Sequence, residues 1–302
     1  MIDRVSFYVP GRHKIDGVNY TTPGLEWAGV KGQIRLKQYR DGLYVAVSLP
    51  KLLNGHNLIT LDRKGVKEAV LKLRDSLDLD IRQAAVNSVE TGPTVIVKEN
   101  PENYLMLFGH KPGYKRHEVW DGYFESLTYL SRKQKGNFAF KVYDKTVEMA
   151  DKKKPVPALF QNQNVIRLEH KILHRQGIQR RLGEDISPHA LYDYGVYEEL
   201  KSLFYRFYQL IPKHGRDVFW NMELPMTYKK FITFLAENSR QGHHAECDQF
   251  LARARLSGVM PEKEYKRCRA WLKQVNVSGR NSFANELISE LDAHVHSYVK
   301  TG

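Results

Sequence analysis

The segment that decides the fold is NFAFKVYDK, which runs from Asn137 to Lys145. Its residues alternate between two kinds along the chain. The apolar ones are Phe138, Phe140 and Val142, and the polar ones are Lys141, Tyr143 and Lys145. Successive side chains of a β-strand point to opposite faces of the sheet. The segment therefore predicts a strand with one apolar, core-facing side and a second side on which a phenol lies between two lysines.

A second strand of the same type is predicted at VIRLEHKI, residues 165–172. Its apolar face consists of Ile166, Leu168 and Ile172, and its polar face consists of Arg167, Glu169 and Lys171. If the two strands are neighbours in one sheet, a phenol, a carboxylate and several cations share one surface.

These polar side chains suit phosphoryl transfer. A tyrosine has an ordinary pKa of about 10, so it attacks a phosphate at neutral pH only when nearby cations or a metal ion favour its phenolate. We expect Lys141 and Lys145 to lower the pKa of Tyr143 and to hold a phosphate, and Glu169 to bind Mg²⁺ or Mn²⁺. The alternative is that Tyr143 is an ordinary strand residue with a hydrogen-bonded hydroxyl.

Along the rest of the chain, the predicted secondary structure changes once, from mainly strands to helices. Up to about residue 180 the pattern predicts strands, among them 84–97, 123–131, 137–145 and 164–173, with helices inserted at 64–78 and near 101–108. After about Gly183 it predicts helices, with apolar faces on 196–211, 231–235 and 250–254, and helix starts at Pro261 and Ser282. The fold class is therefore α+β, with a helical part following the sheet.

The charge of the chain favours a polyanionic partner. Lys and Arg number 47 against 34 Asp and Glu, which gives a net charge of +13. The basic residues form clusters along the whole chain, as at Arg132-Lys133, and aromatic residues lie between them. Single-stranded nucleic acid binds to surfaces that combine phosphate contacts with stacking rings. The alternative is an ordinary basic surface that keeps the protein in solution.

Other features of the sequence exclude several classes of protein. No apolar run approaches the length of a membrane helix, so we expect no membrane partner. The first residues do not resemble a secretory signal, and the two cysteines, Cys247 and Cys268, lack metal-ligand spacing. We therefore predict a cytoplasmic protein without disulfides. The pair His294 and His296 falls in a helical pattern, where the two side chains point apart and do not chelate one ion.

The order of the motifs resembles a known family. Tyr129-Leu130-Ser131-Arg132, then 138–145, then Ile166-Arg167-Leu168-Glu169, is similar to the core of the rolling-circle replication initiators, the nicking endonucleases of the plasmid and filamentous-phage replication protein family. Upstream, 47–57 is similar to a Ser-Leu-x-Lys…Gly-x-Asn segment of the plasmid members. The strand at 86–92 lies where that family has an acidic metal ligand.

The resemblance, which covers roughly residues 1–180, implies roles for particular residues. Tyr143 would be the nucleophile, Lys145 would assist at the phosphate, and Glu90 and Glu169 would bind Mg²⁺ or Mn²⁺. The product would be a 5′-phosphotyrosine and a free 3′-OH primer at a plasmid or phage origin. Two positions depart from the family: Glu90 stands where Asp is usual, and Lys171 stands where many members have a second carboxylate.

The resemblance also implies partners and a domain plan. An antiparallel-sheet endonuclease domain would occupy 1–182, and an all-helical domain at 183–302 would bind origin DNA or a host helicase. The side chains expected to contact DNA are Arg132, Lys133, Arg167 and Lys171. The sequence is also compatible with a non-catalytic, sequence-specific DNA-binding initiator or repressor, and less well with an RNA-binding protein. Monomer and homodimer both remain open.

Overall fold

The computed structural model describes residues 1–15, 27–120, 124–132, 137–151, 156–213, 255, 260–272 and 282–301. Several predictions lie outside these residues. They are the role of Lys133 and the helical faces at 231–235 and 250–254.

An antiparallel sheet dominates the described part of the chain. Its strands are β1 (Ile2–Pro10), β2 (Trp27–Lys31), β3 (Ile34–Tyr39), β4 (Gly42–Ser48), β5 (Ala85–Thr91), β6 (Thr94–Val97), β7 (Tyr114–Trp120), β8 (Phe124–Ser131), β9 (Phe138–Asp144) and β10 (Asn164–Ile172). They lie in the order β2-β3-β4-β1-β5-β10-β9-β8-β7, and β6 pairs with β10 beside β5. The predicted mixture of helices with an antiparallel sheet is confirmed at this level.

Helices fill the connections between strands and follow the last strand. They are α1 (Leu49–Asn54), α2 (Arg63–Leu77), α3 (Pro101–Leu107), α4 (Lys145–Asp151), α5 (Arg175–Leu182), α6 (Tyr194–Gln209), α7 (Glu262–Leu272) and α8 (Ser282–Thr301). Short 3₁₀ turns occupy Ala158–Phe160 and Pro188–Tyr192. No helix in these ranges is long and apolar enough to cross a membrane.

Helix α2 shows how the sequence determines an element. Its start is fixed by Asp62, whose carboxylate accepts a hydrogen bond from the Gly65 amide, and its end by Asp78 at a positive φ of 53°. Its apolar residues, spaced by three and four, are all buried: Val66, Ala69, Val70, Leu73 and Leu77. They join a core cluster that includes Phe7 and Val45 of the sheet.

The chain divides into two compact units. The first contains 1–105, 110–212 and 292–302, and the second contains 106–109 and 213–291. The first unit thus continues beyond Leu182, where the sequence predicts the end of the endonuclease domain. The reason is that Tyr197, Leu200 and Leu203 of α6 pack in the same core cluster as the sheet. The assignment of functions to 1–182 and 183–302 stays a prediction.

Some elements differ from their predictions. The strand expected at 84–97 is two strands, β5 and β6, because Gly92 and Pro93 break it. Lys145 is the first residue of α4 instead of the last residue of β9. His294 and His296 lie in helix α8, as predicted.

Candidate active site

Three acidic side chains meet at the middle of the sheet. Asp3 comes from β1, Glu90 from β5 and Glu169 from β10, which are neighbours in the strand order. One carboxylate oxygen of each residue lies within 4.8 Å of those of the other two. They line a cavity of about 260 Å³ together with Tyr143 and several cations. The full lining is Asp3, Arg4, Ser48, Lys51, Asn57, Glu90, Lys141, Tyr143, Glu148, Glu169 and Lys171.

The pairing of β9 with β10 brings the predicted residues together. The two strands are antiparallel neighbours, with Tyr143 opposite Arg167 and Lys141 opposite Glu169. On the other side of β10, Lys171 pairs with Glu90 of β5. The prediction that the two strands are adjacent and present a shared polar surface is confirmed.

Asp3 was not predicted, and a local irregularity of β1 explains its position. In a regular strand Asp3 would lie on the same face as Val5, Phe7 and Val9, which are buried in the core. The register of β1 against β5 shifts between Ile2 and Val5, so that both of these residues reach the core. Such a β-bulge redirects side chains, and here it leaves Asp3 on the site's face of the sheet.

The last residue of β4 and the segment that follows it hold Asp3 in place. The Ser48 hydroxyl donates to Asp3 Oδ1 at 2.5 Å, and the Asn57 side-chain amide donates to Asp3 Oδ2 at 3.0 Å. Lys51, from the same segment, lines the cavity. The sequence indicated 47–57 through its Ser, Lys and Asn residues, and the structure brings all three to the acidic cluster.

The Tyr143 hydroxyl donates a hydrogen bond to Glu169 Oε1 at 2.9 Å. The side chain is largely buried, and 7% of the residue is exposed at the cavity. Burial, followed by the negative charge of Glu169, raises the pKa of Tyr143 well above its ordinary value. The prediction that neighbouring lysines lower this pKa is therefore wrong for the protein without bound metal or DNA.

The two lysines beside Tyr143 contact its ring. Lys141 Nζ lies 4.6 Å from the ring centre, and Lys145 Nζ lies 5.5 Å from it. Lys145 also donates to the carboxylate of Glu148. Burial lowers the pKa of Lys145, while Glu148 acts against this effect.

Arg167, predicted to contact DNA, is buried instead. Only 1% of it is exposed. Its guanidinium donates to Asp3 Oδ2 at 2.6 Å and to the Thr94 hydroxyl at 2.7 Å, and its Nε lies 3.6 Å from Glu169. A group with these partners inside the sheet has no free face for a phosphate. The structure therefore corrects this prediction: Arg167 is the internal counter-ion of Asp3.

Lys171 forms ion pairs with two of the acids. Its Nζ lies 2.8 Å from Glu169 Oε2 and 3.2 Å from Glu90 Oε1. Burial opposes the ionisation of Glu169, but Lys171 and Arg167 outweigh it and lower the pKa of Glu169 to about 2. For Glu90, burial outweighs Lys171 and raises the pKa. Arg132, at the end of β8, is exposed outside the cavity lining, and its contact with DNA stays a prediction.

The acidic cluster fits a hard divalent cation. Carboxylate oxygens are the ligands that Mg²⁺ and Mn²⁺ prefer, and three of them converge here from different strands. Asp3, Glu90 and Glu169 are the residues that would hold such an ion. This set contains both predicted ligands and adds Asp3.

Neither a protein-family model nor a curated protein matches the chain. A solved structure of a rolling circle replication initiator protein from Geobacillus stearothermophilus matches with a TM-score of 0.35 and 13% identity, covering 78% of this chain and 95% of that one. A likeness of this degree establishes neither the family nor the activity of this chain.

Proposed function

We propose that this protein is a metal-dependent endonuclease that nicks one DNA strand through Tyr143 and so initiates rolling-circle replication of a plasmid or phage. The observation that carries the proposal is the hydrogen bond from the Tyr143 hydroxyl to Glu169, a member of the acidic cluster, at 2.9 Å. Tyr143, the nucleophile of this proposal, and the candidate metal ligands thus line one cavity.

The proposed step is an exchange of phosphate esters. The Tyr143 oxygen forms a bond to phosphorus, and the bond from phosphorus to the 3′-oxygen breaks. Tyr143 loses one proton and the leaving 3′-oxygen gains one, so the 5′-phosphotyrosine forms without net proton release. A bound Mg²⁺ or Mn²⁺ supplies positive charge at the phosphate oxygens.

The raised pKa of Tyr143 determines how it would react. A phenol with such a pKa is neutral at physiological pH, so proton transfer must accompany the attack. The Glu169 oxygen accepts the hydrogen bond and orients the hydroxyl, but with a pKa of about 2 it is too weak a base to keep the proton, which must pass on to the leaving 3′-oxygen. Lys141, which lines the cavity beside the same ring, would stabilise the charge that develops on the phosphate. Lys145 is buried and donates to Glu148, so it would assist from its position against the Tyr143 ring.

Several cations around the cavity suit a DNA strand. Arg4, Lys51 and Lys141 line it together with the acids, and the whole chain carries a net charge of +13. Contacts of this kind position the phosphate backbone without reading bases. In this proposal 1–182 cleaves the DNA in the cytoplasm, while 183–302 binds the origin duplex or a host helicase.

The test is the formation of a covalent adduct. The full chain is incubated with single-stranded origin DNA and Mn²⁺, and adducts that survive denaturation are counted. We expect Tyr143→Phe to lower the yields of the covalent adduct and of nicked DNA by at least about a thousandfold, because no other group replaces the attacking oxygen. Tyr205→Phe, which removes a hydroxyl near His296, is the control and should react as the wild type does.

A second candidate is a DNA-binding initiator or repressor that does not cleave. It is favoured by the small exposed fraction of Tyr143 and by the ion pairs that Lys171 forms with two acids. Sequence-specific binding without any adduct would support this candidate. Undiminished nicking by Tyr143→Phe would disprove the role of Tyr143.

A further inference from the structure

Two cations neutralise the acidic cluster, and they are held very differently. Arg167 is 1% exposed as a side chain and pairs with Asp3, whose side chain is 4% exposed. Lys171 has 21% of its side chain exposed and lies between Glu90 and Glu169. Arg167 is therefore a fixed part of the sheet, whereas Lys171 is the cation that solvent reaches.

The Lys171 ammonium lies where a divalent ion bound to the acidic cluster would lie. Its Nζ lies 2.8 Å and 3.2 Å from carboxylate oxygens of two different strands. Both acids belong to the group of three whose oxygens lie within 4.8 Å of one another. An ammonium and a metal ion that use the same oxygens repel each other strongly at such distances.

We infer that Lys171 is an internal counter-ion that occupies the metal site of the free protein and that a divalent cation must displace it from Glu90 and Glu169. This inference rests on the proposed metal-dependent function. The displaced ammonium remains in a cavity that also contains Tyr143, where it becomes available to a DNA phosphate. Binding of the metal ion and binding of the DNA phosphate are then coupled through the Lys171 side chain.

The test measures Mn²⁺ binding to the full chain without DNA, by electron paramagnetic resonance of the free ion. Lys171→Met removes the ammonium and keeps a side chain of similar length. We expect it to bind Mn²⁺ at least about tenfold more tightly than the wild type, because the ion no longer competes for the two carboxylates. Mn²⁺ should also raise the melting temperature of this variant more than that of the wild type.

Lys141→Met is the matched control. It removes one positive charge from the same cavity, at a lysine that contacts the Tyr143 ring. If Lys171→Met binds Mn²⁺ no more tightly than Lys141→Met, the gain is a general effect of charge and the inference is wrong.

A measurement on the wild type avoids any folding defect of the variant. Acylation of each lysine by an amine-reactive reagent is followed by mass spectrometry with and without Mg²⁺. Displacement predicts that Mg²⁺ increases the acylation of Lys171 several-fold relative to Lys141, and unchanged labelling would overturn it. Neither experiment involves DNA, so a failure here leaves the nicking test untouched, and a failure of nicking leaves this result untouched.

Discussion

Asp3 has two roles: it forms a buried ion pair that stabilises the fold, and it belongs to the acidic cluster of the candidate site. It is buried, accepts hydrogen bonds from Ser48 and Asn57, and forms an ion pair with the buried guanidinium of Arg167. Breaking such a pair from one side is costly, because the remaining charge has lost its partner but stays out of water. The same carboxylate belongs to the candidate metal site.

We predict that Asp3→Asn lowers the free energy of unfolding by about 3 kcal/mol, since Arg167 then faces a neutral amide. The variant should also bind Mn²⁺ more weakly. Chemical denaturation and calorimetry measure these two effects. Asp75→Asn removes an exposed partner of Arg74 and is the control, with an expected loss below about 1 kcal/mol. Equal losses in the two variants would contradict the structural role of Asp3.

The break between β5 and β6 lies directly against the backbone of Leu168 and Glu169. Gly92 has a φ of +147°, and a Cβ built on it would lie 2.0 Å from the carbonyl oxygen of Leu168 and 3.2 Å from Glu169 Cα. The close approach requires a residue without a side chain.

Gly92→Ala should therefore displace β10 next to Glu169. We expect it to lower the free energy of unfolding by at least about 2 kcal/mol more than Gly113→Ala does, and to weaken Mn²⁺ binding. Gly113 also has a positive φ, +81°, but a Cβ there meets no described atom within 4 Å. Both substitutions place a side chain at a positive φ, and of the two only Gly92→Ala adds a clash with the backbone of β10. Similar stabilities for the two variants would show that β10 adapts without cost.

The elements that the sequence predicts well are those whose apolar residues are spaced regularly, so that they fall on one face of the helix or strand. Helix α2 and strands β8, β9 and β10 were found because each has one face of apolar residues. Strand β7 was missed, because most of its residues are exposed or half-buried and polar. Helix α5 was missed for a similar reason, since only Gly177 and Ile178 of its eight residues are buried.

At the site, the features that the sequence does not predict were missed for a different physical reason. Tyr143, Glu90 and Glu169, which the motifs single out, line one cavity, and their catalytic roles stay a prediction. Asp3 could not be found by alternation, because a register shift in β1 breaks the alternation at that residue. The burial of Arg167 could not be found either: a strand pattern shows that an arginine lies opposite the apolar face, and a second buried layer is visible only in the assembled sheet.

At the scale of the whole molecule, His170 makes stability depend on pH. It lies on β10, with its ring 6.3 Å from that of Phe138 and 5.3 Å from that of Phe207 in α6. Burial, with a smaller contribution from Arg181, lowers the pKa of His170 to about 3. The unfolded chain therefore takes up this proton more readily than the folded one below pH 6.5.

We predict that this histidine destabilises the fold progressively as the pH falls from about 6.5 towards 3, by roughly 3 to 5 kcal/mol when the change is complete. His170→Leu should remove that part of the pH dependence, and His174→Gln, at an exposed position, should keep it. Denaturation curves at a series of pH values measure the effect. Parallel stability profiles for His170→Leu and the wild type would contradict the burial of a neutral imidazole.

The three acids of the site stand on neighbouring strands that the polypeptide contributes from segments far apart in sequence, at Asp3, Glu90 and Glu169. No short fragment contains a complete set. If the chain nicks DNA as we propose, dividing it before β10 should leave each half inactive alone, and activity should return only when the halves reassociate. Under that proposal the protein would suit a split reporter, in which cleavage of DNA signals that two polypeptides have met.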